Sequence, residues 1–294
     1  MALSDDVRRS AERIAAHATQ VRIDFEALER IEPGPPPQLD PDRHYLEGPD
    51  EDVATYLLTL DAINFGSGWF PTLRKRQADG RPVSGYFTVA WGLADRFRAH
   101  GPWTNAELRA MRTEEIADLL GQSRDHELMA LYAQALRSLG DFLGERHPLD
   151  VVHEARGSAV RLAELLAGGM AMFHDTGFFK RAQIVPADLA LAGVATFTDL
   201  DRLTIFADNV VPHVLRCDGV LVYDPRLAAH IDAGRLLRMG PQEREIRGCA
   251  VHACRLIAER LGVSEPTLDH WLWNRGQAPA YKARPRHRCQ TVYY

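Results

Sequence analysis

Residues 128–142 read LMALYAQALRSLGDF and residues 152–166 read VHEARGSAVRLAELL. In the first stretch Leu128, Leu131, Ala135, Leu139 and Phe142 recur every three or four positions, and in the second Val152, Ala155, Ala159, Leu162 and Leu166 do the same. Side chains three and four apart share one side of an α-helix, so each set forms a single apolar face. Two core-facing helices are predicted, the second ending at Gly168-Gly169.

Toward the amino end, Thr104-Asn-Ala-Glu107 fits a capping box, in which the Thr hydroxyl and the Glu carboxylate each satisfy a free backbone N–H. The helix it opens is expected to run to about Gly121. Further helices are expected over 84–100 and 51–63, separated by the turn Asn64-Phe65-Gly-Ser-Gly-Trp69-Phe70-Pro71 and the cations Arg74, Lys75 and Arg76. Five prolines within residues 33–41 forbid a helix and leave an extended surface connection. From Ser4 to Glu32 helical spacing returns, with Ile23 off the stripe, which predicts one or two amphipathic helices. Toward the carboxyl end, Pro186 suits a helix N1 position, Thr198 or Asp199 a helix cap, and residues 244–261 a long helix stopped by Gly262. Strand-like alternation is confined to pieces such as Gly219-Val-Leu-Val-Tyr223. The pattern predicts a mainly α protein: one compact all-helical unit over 1–294, with an amino-terminal lobe (1–170) and a carboxy-terminal lobe (171–294).

The 294 residues are 46% hydrophobic and 26% charged, enough to bury a full core and too apolar for a disordered chain. A formal charge of −5 gives no electrostatic reason to wrap a polyphosphate backbone. No apolar run approaches the roughly 20 residues that cross a bilayer, and the opening MALSDDVRRSAERIAAH lacks an apolar signal core, so a cytoplasmic protein is expected. Four cysteines in so long a chain are expected to stay reduced. Cys249, His252 and Cys254 are potential zinc ligands, but the two thiols lie five positions apart on different sides of a helix, and no metal site is expected. Dinucleotide, P-loop, hydrolase-elbow and zinc-protease motifs are missing.

Aromatic, basic and acidic residues concentrate after residue 170. Met172-Phe-His-Asp-Thr-Gly-Phe178-Phe179-Lys180-Arg181-Ala-Gln183 sets three rings beside two cations and an amide. That mixture suits either stacking on a flat heterocycle while holding an anion, or a core edge with a basic rim. Thr204-Ile-Phe206-Ala-Asp208-Asn-Val-Val-Pro212 carries one carboxylate in an otherwise apolar run. Burying a carboxylate is costly unless it is paired, so Asp208 is either a cap for the helix around Pro212 or a group kept for chemistry.

These strings, with Glu245-Ile-Arg247-Gly-Cys249, Leu268-Asp269-x-x-Leu272-Trp273 and the closing His287-Arg-Cys-x-x-x-Tyr293-Tyr294, and with Ile63-Asn64-Phe65 and Pro82-Val-Ser-Gly-Tyr86 ahead of them, resemble the queuosine salvage protein family. The resemblance implies an all-helical fold distantly similar to helix-hairpin-helix DNA glycosylases. It implies cleavage of the N-glycosidic bond of queuosine 5′-monophosphate to queuine and ribose 5-phosphate, without metal or organic cofactor. Asp208 and Lys180 are the implied catalytic residues. Asn64, Phe65, Phe178, Arg181, Gln183, Asp199, Asp201, Phe206, Arg247, Trp273 and His287 are the substrate-binding candidates around them. The expected partner is a small nucleotide, not a nucleic-acid polymer or a membrane, and the protein is expected to act as a monomer. A 7-deazaguanine has carbon in place of N7, so the leaving base needs help at another edge, for which Asp199, Asp201, Gln183 and Asn64 are candidates. Lys180, Arg181, Arg247, His287 and Arg288 are the cations available to the phosphate. A helix-hairpin-helix DNA repair glycosylase and a non-catalytic binder of a modified base are the alternatives, and the acidic charge speaks against the former.

Overall fold

The computed structural model describes residues 2–294, most of them in helices. At the centre stands the Asp50–Ala62 helix, whose stretch from Val53 to Ala62 is buried throughout. A helix buried on every side has to be enclosed by others. The Gly85–His100, Glu127–Leu143, Pro148–Glu154 and Lys180–Leu191 helices pack around it. A second axis is the Pro241–Leu261 helix, with the Leu3–His17 helix laid along it. Their approach depends on Gly248, where an added Cβ would stand 2.6 Å from Ile14 Cγ2. One hydrophobic core, from Leu3 to Leu272 in sequence, runs through both groups.

Several elements are shorter than the sequence pattern implies. The capping box at Thr104 and Glu107 forms, but its helix ends at Arg109. Met111 then turns inward, Arg112 takes extended dihedrals, and a separate Thr113–Leu119 helix follows. The stripe over 152–166 also spans two helices, Pro148–Glu154 and Ala159–Gly169, because Arg156 and Gly157 adopt φ of 52° and 72° and turn the chain. A periodic apolar face looks the same whether one helix buries it or two do. Pro186 sits inside the Lys180–Leu191 helix, not at its start. Asp199 caps a different helix from the one expected: its carboxylate accepts from the Ser158 hydroxyl and from Ala159 N, both at 2.6 Å. The off-stripe Ile23 belongs to a strand, Val21–Ile23, paired antiparallel with Leu221–Tyr223 so that Ile23 faces Leu221. The amino-terminal segment is thus a helix, a strand and a helical turn at Phe25–Leu28.

Two fully buried guanidinium groups tie these parts together. Arg181 donates to the carbonyls of Ala62, Met172 and Val292, and lies 4.7 Å over each of the Phe65 and Phe173 rings. Arg247 donates to the Asp175 carboxylate through both terminal nitrogens, to Glu243 at 3.1 Å and to the Ala207 carbonyl at 2.8 Å. Its plane lies 4.0 Å over Phe178 and 4.5 Å over Tyr294. Breaking one side of such a network strands the remaining charges, so Arg247→Met should lower unfolding free energy by about 3–5 kcal/mol, read from urea midpoints at unchanged m-value. A loss under about 1 kcal/mol would mean that Asp175 and Glu243 find other partners.

Candidate active site

A cavity of about 490 Å³ opens where the turn after the Asp50–Ala62 helix, the first turn of the Gly85–His100 helix, the Lys180–Leu191 helix, the 206–210 segment, the Glu265–Arg275 helix and the tail all meet. Its size suits a small ligand. Lys180, Ile184 and Asp188 recur at four-residue steps and so share one helix face, which forms a wall. Asp269 and Trp273 do the same from the Glu265–Arg275 helix. The wall begins at a constrained point. Phe179, immediately before Lys180, holds φ 50° and ψ 41°, a left-handed conformation that non-glycine residues rarely adopt.

Asp208 and Lys180 both face this cavity. Asp208 Oδ1 accepts from Val210 N at 2.6 Å and Val211 N at 3.1 Å, so it does cap the following helix. The second oxygen stays free of those bonds, and capping and facing the cavity are therefore compatible. Burial raises the Asp208 pKa while Lys180 and the two N–H groups oppose the rise. Lys180, 4% exposed, donates to the Asn64 carbonyl at 3.0 Å. Burial lowers its pKa, and Asp208 and Asp61 resist.

Three further aspartates surround the pair. Asp269 Oδ1 accepts from Phe206 N at 2.9 Å, while burial, reinforced by the charge of Asp208, pushes its pKa well up. A carboxyl shifted in that direction holds its proton to higher pH, which suits it to proton donation. Asp188 is raised well above its usual value by burial and by Asp61. Asp61, behind the wall and bonded to the Asn64 side chain at 3.1 Å, is pushed up to about 7, mainly by burial. At the other end of the cavity stand Lys75, Lys282, Arg286 and Arg288. Burial first, and then repulsion among the cations, lowers the pKa of Lys75 and Lys282; burial lowers that of Arg286 too, against the opposing charge of Asp208. Among the described residues none of these four forms an ion pair, whereas Arg284 beside them is paired with Asp232.

Of the residues singled out in the sequence, Asp208, Lys180, Asn64, Phe65, Phe206, Trp273 and Arg288 lie on the cavity wall. Phe65, 1% exposed, is held edge-on to Tyr132 and beneath Arg181, so its ring is chiefly core. The others are occupied elsewhere. Phe178 is fully buried under Arg247, and both arginines, Arg181 and Arg247, spend their donors internally. Gln183 is bonded to Thr204 and the Phe178 carbonyl. Asp199 caps a helix, and Asp201 lines a separate shallow groove with Arg8 and Arg255. His287 is 1% exposed, and burial pushes its imidazole down to about 3, so it stays neutral. Arg286, in the basic tail over 284–288 that the sequence offers to a phosphate, is also on the wall, and Asp188 and Asp269 are wall residues that the sequence did not single out. These two aspartates carried the signal that marked Asp208, a carboxylate inside an apolar run. Among the described residues no group of three His, Cys, Asp or Glu side chains has the arrangement to hold a metal.

A family model described as queuosine salvage protein matches residues 44–294. Proteins named queuosine 5′-phosphate N-glycosylase/hydrolase are similar over 79–97% of their length. The one from Sphaerobacter thermophilus is 30% identical over 98% of this chain and 97% of its own. That from Mus musculus is 28% identical over 99% and 93%, and that from Dictyostelium discoideum is 28% identical over 83% and 79%. The match takes in every part of the cavity wall except the 37–40 stretch, and the chain belongs to the queuosine salvage protein family.

Proposed function

We propose that the protein hydrolyses the N-glycosidic bond of queuosine 5′-monophosphate, releasing queuine and ribose 5-phosphate. The observation that carries this reading is a buried carboxylate and ammonium, Asp208 and Lys180, sharing one cavity with a cluster of cations that form no ion pair and with the buried carboxyls of Asp188 and Asp269, whose pKa values are raised. The names of the relatives support the substrate class.

Breaking a ribosyl C1′–N bond builds positive charge on the sugar. The free oxygen of Asp208 stabilises that charge or orients the attacking water, and its fixed bonds to Val210 and Val211 mean that no reorganisation is needed as the charge develops. Lys180 favours the ionised form of Asp208 against the burial that opposes it. The departing base accumulates negative charge and has no N7 to protonate. Asp269, kept protonated by burial and by Asp208, donates at another edge of the heterocycle. Phe206 and Trp273 flank the base. The 5′-phosphate sits among Lys75, Lys282, Arg286 and Arg288, whose mutual repulsion a dianion relieves. In this reading the enzyme works as a cytoplasmic monomer on a free nucleotide and not on a polymer, and its distant likeness to helix-hairpin-helix glycosylases is one of helical framework. The cations form one compact cluster at a cavity end, the footprint of a single phosphate group.

Asp208→Asn keeps the acceptor that caps the helix and removes the charge. Base release should fall by at least about two orders of magnitude with the melting temperature nearly unchanged. Asp208→Ala should add a loss of about 1 kcal/mol of stability, the usual worth of a cap. An Asn variant that retains more than about a tenth of the rate would remove Asp208 from the chemistry.

The phosphate assignment generates a separate expectation. Arg286→Gln should reduce kcat/KM for the 5′-nucleotide by about ten- to a hundredfold more than for the nucleoside, because remote binding energy is used to orient C1′. Millimolar inorganic phosphate should raise the melting temperature of the wild type more than that of the variant. Equal losses on nucleotide and nucleoside would move the phosphate elsewhere.

A further inference from the structure

The Lys180–Leu191 helix is charged against its own dipole. Lys180 and Arg181 are its first residues, and the amino end of a helix carries a partial positive charge that disfavours cations. Both side chains are buried, which adds to the cost. Some other part of the fold has to compensate.

The compensation comes from the opposite pole of the central helix. The carboxyl end of Asp50–Ala62 leaves carbonyls without helical partners and is the negative end of that helix. Ala62 O accepts from Arg181, Asn64 O from Lys180 at 3.0 Å, and Phe65 O from the Tyr132 hydroxyl at 2.8 Å. Asp61 stands at the root of this turn. Its Oδ1 accepts from the Asn64 side-chain amide at 3.1 Å and its carbonyl from Asn64 N at 3.4 Å, so it grips Asn64 twice and aims the Asn64 carbonyl at Lys180. Asp61 is fully buried and off the cavity wall, and its Oδ2 has no hydrogen-bond partner among the described residues. A carboxylate in that state is costly unless a nearby cation answers it. Facing it are Lys180, Arg181 and Asp188 from the helix opposite, Tyr86 from the Gly85–His100 helix and Tyr56 from its own. Arg181 is already spent on the carbonyls of Ala62, Met172 and Val292, whereas Lys180 has donors to spare after Asn64.

We infer that Asp61 is a positioning residue: through the Asn64 turn it fixes where the Lys180 ammonium sits, and with its charge it keeps Lys180 protonated from the side that faces away from the cavity. The inference rests on the catalytic reading of Asp208 and Lys180. Asp208 has to turn its charge toward the sugar as the glycosidic bond breaks, so it supports Lys180 least when the ammonium is needed, and Asp61 has no such second duty. The two titrations lean on one another. Burial pushes Asp61 up to about 7 and lowers Lys180. As the pH rises through neutrality Asp61 gains its charge, and that charge raises the proton affinity of Lys180 and extends the ammonium form to higher pH.

Lysine occurs in the chain only at positions 75, 180 and 282, so an NMR titration of the full chain isotopically labelled at the lysine ε carbon follows Lys180 directly, with Lys75→Arg and Lys282→Arg supplying the assignment. Asp61→Asn keeps an acceptor for the Asn64 amide and removes the charge, and the Lys180 midpoint should fall by about one pH unit. Asn64→Ala leaves the carboxyl and removes its grip, and should lower the midpoint by a smaller amount. That substitution lies on the cavity wall and serves if Asp61→Asn does not fold. With queuosine 5′-monophosphate as substrate, the alkaline limb of kcat/KM should move down with the midpoint, so that Asp61→Asn loses about tenfold at alkaline pH and much less at neutral pH. An unmoved Lys180 midpoint in the folded variant would overturn the inference, and so would a loss of rate equal at every pH, the mark of a packing role. A shifted midpoint in a protein that releases no base at any pH would overturn the hydrolase reading instead and leave the placement of Asp61 standing.

Discussion

Removing a guanidinium from water is costly unless its donors find acceptors, and Arg247, 1% exposed, meets that demand by gathering distant parts of the chain. Asp175 comes from the turn before the Lys180–Leu191 helix, Glu243 from one helical turn earlier, Ala207 from the residue before Asp208, and Tyr294 from the tail. Satisfying one charge thus locates the segment that carries Asp208 relative to the segment that carries Lys180. Arg181 does the same for the turn after the Asp50–Ala62 helix and for Val292. The cavity is a by-product of two buried cations whose partners had to come from several elements at once.

A contrast runs between these arginines and the cations on the cavity wall. Arg247 has two carboxylates bonded to it, while Lys75 and Lys282 have cations for neighbours and Arg286 feels Asp208 without forming an ion pair. The former arrangement lowers the energy of the folded chain and the latter raises it. A fold keeps such a destabilised cluster where a ligand resolves it. The aspartates follow the same division: Asp175 is paired and Asp188 is not.

The helical class and most individual helices were legible because apolar residues at three- and four-residue steps report the buried face directly. Breaks between helices were less so, since Arg156 in a left-handed turn leaves the apolar stripe around it intact. Asp208 stood out by being charged among apolar neighbours, and Asp188 and Asp269 carried the same mark in weaker form. The direction of a basic residue was not legible. Lys180-Arg181 are adjacent in sequence, yet a helix sends one into the cavity and the other into the core, 100° apart. In the tail, Arg284 is paired off by Asp232 from a remote helix while Arg286 is left free, a distinction that only tertiary structure makes.

The wall formed by Lys180, Ile184 and Asp188 has a consequence for how the chain can vary in length. Eight residues of helix separate its two charged ends by about 12 Å along the axis, at 1.5 Å per residue. Side-chain adjustment cannot change that spacing. A single inserted or deleted residue between them would swing Asp188 by about 100° off the wall and shift it along the axis as well. The surface loops can lengthen freely at small entropic cost. Residues 180–188 are under the opposite constraint, a segment of fixed length that admits neither insertion nor deletion.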